Sequence, residues 1–564
     1  MKRWIALSGT VLMGIAAIWV SERRKVDVPA GPAAVLYLVA DTEQELTRMP
    51  VRFTRMSDEE EISIGDQLAR NYVWTGPDEN FPEFKEVEAY LSQVGSRLAP
   101  QAHRKLPYKF HYIPDRSLVN AFALPGGHVF VGGGLLALMD SEDELATVMG
   151  HEIEHIDHYH CAERVQQEQA LRRIPLGGLI EMPVEVFEAG YNKDQELEAD
   201  REGTRLAVQA GYSANGAIRM FEIFQRLYEE YQARAESPEE ELSDVAQQTI
   251  EGYFRSHPLP SERIAQVQKL IASEHWELKP EKDLAVAYVF WTARANAALE
   301  MHRYQVAEQL AVRSLKVRGE QPRALEVLAR AQFAQAEFAA ASDSYRRLLA
   351  MSPTAENAKA FAESLGAADR QTAATEFRHW TESVKPEPPA GMNVQQAGLD
   401  LLAGGSTAAH QLATELRATT QDASAPVSLG ELGWWFYLSG DYPTATNLLG
   451  DAVQRRPGVL ELEVRFAWSQ IELQRNSDAL QTLSATYEEV GTKPEKTMAR
   501  AVAEWQAQLP DQALQDFGAA ITGQPEWSNA QWVTALYSSR VVTAVGQMQA
   551  ERERRRKTQL AHSR

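Results

Sequence analysis

SEDELATVMGHEIEHIDHYH, residues 141–160, opens with a helix-start signal and closes in a cluster of metal-binding side chains. Ser141 and Glu144 form an S-x-x-E capping box, and Leu145, Val148, Met149, Ile153 and Ile156 recur at helical spacing, so the stretch predicts an amphipathic helix. On that helix H-E-x-x-H sets His151 and His155 one turn apart on one face, where two imidazoles converge on one Zn2+ with Glu152 beside the open coordination position. His158 follows, but at about 1.5 Å per residue it stands roughly 10 Å along the axis from His151, too far to share the ion. His158, His160 and Cys161 are therefore expected to be non-ligands, with His160 pointing elsewhere.

The third ligand has to come from another segment. NKDQELEADREGTRLA, residues 192–207, places Glu196 and Asp200 four apart on one helical face. One carboxylate there can complete the metal site and the other can orient an imidazole through its second nitrogen. On the N-terminal side, KFHYIPD (109–115) and NAFALPGGHVFVGGGLLALMD (120–140) mix β-branched and aromatic residues around Pro-Gly-Gly, the pattern of strands in a hairpin. His128 in that hairpin is expected to be exposed. Further upstream, Ser57 in MSDEEEISIGDQLARNY caps a helix with an acidic first turn, the expected start of the folded domain.

At 564 residues the chain exceeds one hydrophobic core, and 57 Lys plus Arg against 78 Asp plus Glu give a formal net charge of -21. That balance argues against a nucleic-acid partner. The basic tail ERERRRK, residues 551–557, reads as a solvated, frayed terminus. One cysteine, Cys161, forbids an intrachain disulfide. At the N-terminus the apolar run WIALSGTVLMGIAAIWV (4–20) runs directly into SERRK, which favours an uncleaved membrane anchor over a cleaved signal segment.

Beyond residue 280 the pattern becomes helical and repetitive. Ala307 and Ala341 lie 34 apart, as do Ala445, Ala479 and Ala513; Leu449, Leu483 and Phe517 follow the last three, and Pro353, Pro457 and Pro525 close helices. Small residues where helices cross and large ones between them resemble the tetratricopeptide repeat family, whose neighbouring units complete one another's core. Residues 364–425 lose this register, and KPEPPAGMN reads as a break or linker.

The ordered set NAFALPGGHVFVGGGLLAL, ELATVMGHEIEH, ELEAD and SHPLPSERI is similar to the gluzincin-type zinc metalloprotease family that contains the CAAX prenyl proteases, the heat-shock membrane proteases and the periplasmic β-barrel assembly-enhancing proteases. The resemblance covers about residues 57–270. It implies one Zn2+ per chain held by His151, His155 and Glu196, Glu152 as general base and Asp200 behind the ligands. His257 and Arg263 in H-P-x-x-x-x-R are implied to approach the metal, where they stabilise an oxyanion or, with His257 on the metal, keep the site latent. Glu154 departs from the family pattern, which more often has a small residue there.

The expected fold class is α+β, mainly α-helical: a zincin-like metalloprotease domain followed by an α-solenoid of tetratricopeptide repeats. Expected boundaries are a membrane anchor or signal segment at 1–25, a linker at 26–56, the protease at 57–275, repeats at 284–363, an irregular helical or linker region at 364–425, repeats at 426–548 and a basic tail at 549–564. The function this implies is an envelope endopeptidase for unfolded or misassembled proteins. It would be periplasmic and tethered to the inner membrane by the N-terminal segment, with protein partners on the repeats and no nucleic acid. The competing expectation is a tetratricopeptide scaffold or chaperone whose protease domain is latent or idle.

Overall fold

The computed structural model describes residues 56–72, 82–116, 118–172, 191–235, 260–384, 388–419, 424–485 and 493–562. The expected anchor at 1–25, nearly all of the linker and His257 lie outside the described residues. No helix of the described residues is long and apolar enough to cross a membrane. The chain divides into two compact units, Met1–Val286 and Ala287–Arg564.

In the first unit, α1 (Asp58–Ala69) starts at a capping box in which Ser57 accepts the Glu60 N–H and Glu60 reaches back to the Ser57 N–H. After α2 (Pro82–Leu98) come β1 (Lys109–Ile113), β2 (Ala121–Leu124) and β3 (His128–Gly132), in the order β1-β3-β2. Strand β1 is parallel to β3, and β2 is antiparallel to it. The hairpin expected from Pro-Gly-Gly is present: Gly126 and Gly127 adopt φ of 79° and 110°, a region closed to most residues with a Cβ.

His128 is not exposed as expected; it is 3% accessible. As the central strand, β3 is buried along its whole length, so its one polar ring has to be paired. Its nitrogens lie 2.9 Å from Asp66 Oδ1 and 2.9 Å from His111 Nε2.

The helix carrying H-E-x-x-H is α3 (Glu142–Asp157), and both halves of its Ser141–Glu144 capping box are made. Its far end is strapped down by Asp157, whose carboxylate accepts the backbone N–H groups of His103 and Arg104 at 3.0 and 2.6 Å. Arg104 also donates to the Ile156 carbonyl at 2.7 Å and pairs with Glu61 and Asp58 of α1 at 2.5 and 2.6 Å. Helix α4 (His160–Arg172) follows. Then α5 (Lys193–Gln209) begins at an Asn192–Gln195 capping box and packs on α3, followed by α6 (Asn215–Ala235) and α7 (Pro260–Glu274).

Helices α3 and α5 touch backbone to backbone. A Cβ built on Gly150 would stand 2.7 Å from the Gly203 carbonyl oxygen, and one on Gly203 would stand 2.6 Å from the His151 nitrogen. Only paired glycines allow this approach, and it brings the carboxylates of α5 within reach of the α3 histidines.

The second unit is built of helix pairs from Ala287–Glu300 with Tyr304–Val317 through Pro494–Gln506 with Pro510–Gly523. The repeat alanines Ala307, Ala341, Ala445, Ala479 and Ala513 are all at 0% accessibility, where facing helices meet. The described residues of 364–425 are mainly helical. Helices Ala373–Ser383, Met392–Leu402 and Thr407–Ala418 place Phe377, Trp380, Leu399 and Ala409 in one continuous core with the flanking pairs. Ala341 and Ala445 are 104 residues apart, two more than three repeats of 34, so the helices continue while the spacing slips.

The basic tail is likewise the end of a helix, Ser539–His562. Glu551 neutralises Arg554 and Arg555 one turn on, at 2.7 and 2.9 Å, and Arg555 also reaches Asp511 at 2.7 Å.

Candidate metal centre

His151, His155 and Glu196 converge. Their donor atoms are separated by 3.0 Å (His151 Nε2 to His155 Nε2), 3.5 Å (His151 Nε2 to Glu196 Oε2) and 3.6 Å (His155 Nε2 to Glu196 Oε1). Donors about 2.0–2.2 Å from one ion at tetrahedral angles lie about 3.4 Å apart, so these two nitrogens and the Glu196 carboxylate, one oxygen toward each ring, fit a zinc-sized cation. All three side chains are buried. Among the described residues this is the one group of His, Cys, Asp and Glu arranged to hold a metal.

Behind the ligands, Asp200 Oδ1 lies 2.9 Å from His151 Nδ1, which directs the other nitrogen of that ring into the site. Arg263 sits on Asp200 itself, with Nε 2.7 Å from Oδ2 and NH2 2.5 Å from Oδ1. Burial opposes the charge on Asp200, but the Arg263 guanidinium and His151 outweigh it and hold the carboxyl below the usual range. The resemblance implied that Arg263 approaches the metal; the structure places its fork on Asp200, while the side chain also lines the cavity beside Glu152. Sequence spacing alone left open which of Glu196 and Asp200 would face the metal, and the geometry assigns Glu196 to that face.

Glu152 is 4% exposed. Burial pushes its carboxyl up to about 8, opposed by the positive charge of His151 and Arg263 and by the Ala123 backbone N–H. That N–H belongs to β2, the edge strand on one side of the sheet. A cavity of about 30 Å³, the share of roughly one water, is lined by Asn120, Ala121, His151, Glu152, Asp200 and Arg263.

The neighbouring residues expected to be non-ligands do stand outside the donor triad. Cys161 is buried, its sulfur 3.2 Å from the Tyr191 hydroxyl. His158 Nε2 lies 3.1 Å from Glu154 Oε2, so the carboxylate that departs from the family pattern has a partner one turn on. His160, expected to point elsewhere, instead puts Nδ1 3.0 Å from His155 Nδ1.

Burial alone would lower His151, but hydrogen bonds to Asp200 and Glu196 override it and raise the ring to about 10. That direction favours the charged ring, which has to become neutral to act as a ligand. Zinc binding is expected to release protons, and affinity to rise with pH through the neutral range. Calorimetric titration in buffers of different ionisation enthalpy measures this; a pH-independent affinity would contradict it.

Residues 85–271 match the family model described as Peptidase family M48. The putative β-barrel assembly-enhancing protease of Vibrio cholerae is 34% identical over 229 residues, 36% of this chain and 43% of that protein. The β-barrel assembly-enhancing protease of Escherichia coli (strain K12) is 27% identical over 229 residues, 36% of this chain and 42% of its own length. The mitochondrial metalloendopeptidase OMA1 of Schizosaccharomyces pombe is 29% identical over 182 residues, 30% of this chain and 54% of that protein. The chain thus matches less than two thirds of the length of each of these relatives. With its H-E-x-x-H helix, its carboxylate helix and the matched span coinciding, the chain carries a Peptidase family M48 domain, followed by a solenoid of helical repeats.

Proposed function

We propose that the chain is a zinc-dependent endopeptidase of the cell envelope that hydrolyses peptide bonds in unfolded or misassembled proteins, with its helical repeats recruiting clients or partners. The observation that carries this reading is the convergence of His151, His155 and Glu196 at 3.0–3.6 Å with buried Glu152 next in the chain. Placement in the periplasm and a role in protein quality control are part of this proposal and rest on the resemblance to the β-barrel assembly-enhancing proteases.

When bound, zinc polarises the scissile carbonyl and brings the pKa of its water to about 7. Glu152 is placed to take the proton of an attacking water as the carboxylate and, as the acid so formed, to return it to the leaving amine. Burial raises the free carboxyl, and a cation held beside it would favour the charged form. Asp200, held by Arg263, keeps His151 oriented throughout. Strand β2 supports an extended substrate: Asn120 and Ala121, where the edge strand begins, line the cavity beside Glu152, so a chain laid antiparallel there would bring its carbonyl to the site. Such pairing selects for unfolded segments, because a folded one has no free backbone to offer.

Casein hydrolysis by the full chain tests the proposal. A chelator is expected to abolish cleavage and stoichiometric zinc to restore it. Cleavage that persists after the metal is stripped would sink the metalloprotease reading.

A further inference from the structure

The turn that ends α3 contains a bulky residue in the left-handed region, Tyr159 at φ 63°. That conformation is costly for a residue with a large side chain and needs outside support. Arg104 supplies it, with its guanidinium carbon 3.9 Å over the Tyr159 ring, while Asp58, Glu61 and the Ile156 carbonyl fix Arg104 in turn. The helix therefore breaks here, and a new one starts at His160 instead of continuing along the α3 axis. His160, the first residue of α4, is turned back onto the metal helix.

There its Nδ1 lies 3.0 Å from Nδ1 of His155, and its Nε2 lies 3.5 Å from Glu198 Oε2 on α5. Tyr191 covers another side of His155, ring on ring at 3.9 Å between centroids and 20° between planes. His155 and His160 are both essentially buried, so water does not compete strongly for these nitrogens.

We propose that His160 is the positioning residue for His155: it accepts the His155 Nδ1–H and is itself anchored by Glu198, so that His155 presents the lone pair of Nε2 to the metal. This rests on the reading of His151, His155 and Glu196 as ligands. Proton placement leaves one consistent arrangement. A His155 that binds metal through Nε2 carries its proton on Nδ1; His160 Nδ1 must then accept, which puts the His160 proton on Nε2, facing the Glu198 carboxylate. The opposite tautomer of His155 would aim an N–H at His151 Nε2, 3.0 Å away, and close the coordination position. The two ligand histidines are thus oriented by different groups, His151 by the carboxylate of Asp200 and His155 by an imidazole backed by a carboxylate.

Two substitutions separate positioning from mere filling of space. His160→Leu keeps bulk and removes the acceptor, whereas His160→Asn keeps a side-chain oxygen near the place of Nδ1. In the full chain, competition with a fluorescent zinc chelator is expected to show affinity about 10–100-fold weaker for His160→Leu, with most of that loss recovered in His160→Asn. In zinc-loaded wild type, nitrogen-15 spectra of labelled histidine are expected to show His160 protonated on Nε2 and bare on Nδ1. Wild-type affinity in His160→Leu, or a proton on His160 Nδ1, would overturn the relay and leave the metal centre standing. Wild type that binds no zinc would overturn the ligand reading and the relay with it.

Discussion

Replacing Glu152 with Gln is expected to leave one zinc per chain and to cut peptide hydrolysis by about 10²–10⁴-fold. The substitution keeps the shape of the side chain and its place beside Ala123, so α3 and its histidines have no reason to move. It removes only the capacity to take a proton. Among the described residues that line the cavity the other carboxylate is Asp200, which is occupied by His151 and Arg263, while Glu196 belongs to the candidate ligand group. Loss of activity with metal retained separates a general base from a structural acid. Loss of zinc in Glu152→Gln would mean that Glu152 helps hold the ion, and the assignment of roles would have to change.

Gly203→Ala is expected to disturb helix packing and metal binding together. Its Cβ would stand 2.6 Å from the His151 nitrogen and 2.8 Å from the Gly150 carbonyl carbon, all backbone atoms that cannot rotate away. Helix α5 would have to back off, at a cost of about 1–3 kcal/mol of stability. More important, α5 carries both Glu196 and Asp200, so the same shift opens the ligand triad and loosens the partner of His151. Metal affinity is therefore expected to fall by at least the roughly 10–100-fold typical of disturbed outer contacts. Thermal melting with and without zinc reads both effects: the metal-free melting point drops, and zinc restores less of it than in wild type. Unchanged melting in both states would show that the helices do not cross as closely as described.

The parts of the site legible in the sequence are those encoded by short-range spacing. The capping box, the helical run and H-E-x-x-H lie within residues 141–160, and Glu196 and Asp200 announce themselves by one helical turn. The Pro-Gly-Gly hairpin was equally local. Gly150 and Gly203 escaped notice because neither glycine has meaning without the other, and only the packed helices bring them together. The place of His160 beside His155 is not legible from helical spacing, because Tyr159 in the left-handed region interrupts the helix before it. No local propensity points to tyrosine there, since Arg104 and the acids of α1 hold it from elsewhere in the chain. His128 follows the same logic, its burial set by its position on the central strand. In the repeats, alanine spacing located the helix crossings, while the two-residue slip between Ala341 and Ala445 disguised helices that pack without interruption.

Zinc K-edge absorption on the purified chain tests the central claim most directly. The account requires one zinc per chain with two imidazole nitrogens at about 2.0–2.1 Å and carboxylate oxygen in the remaining shell, the imidazole signal halving in His155→Ala. A protein that retains no zinc, or a zinc whose shell contains no imidazole, would contradict it.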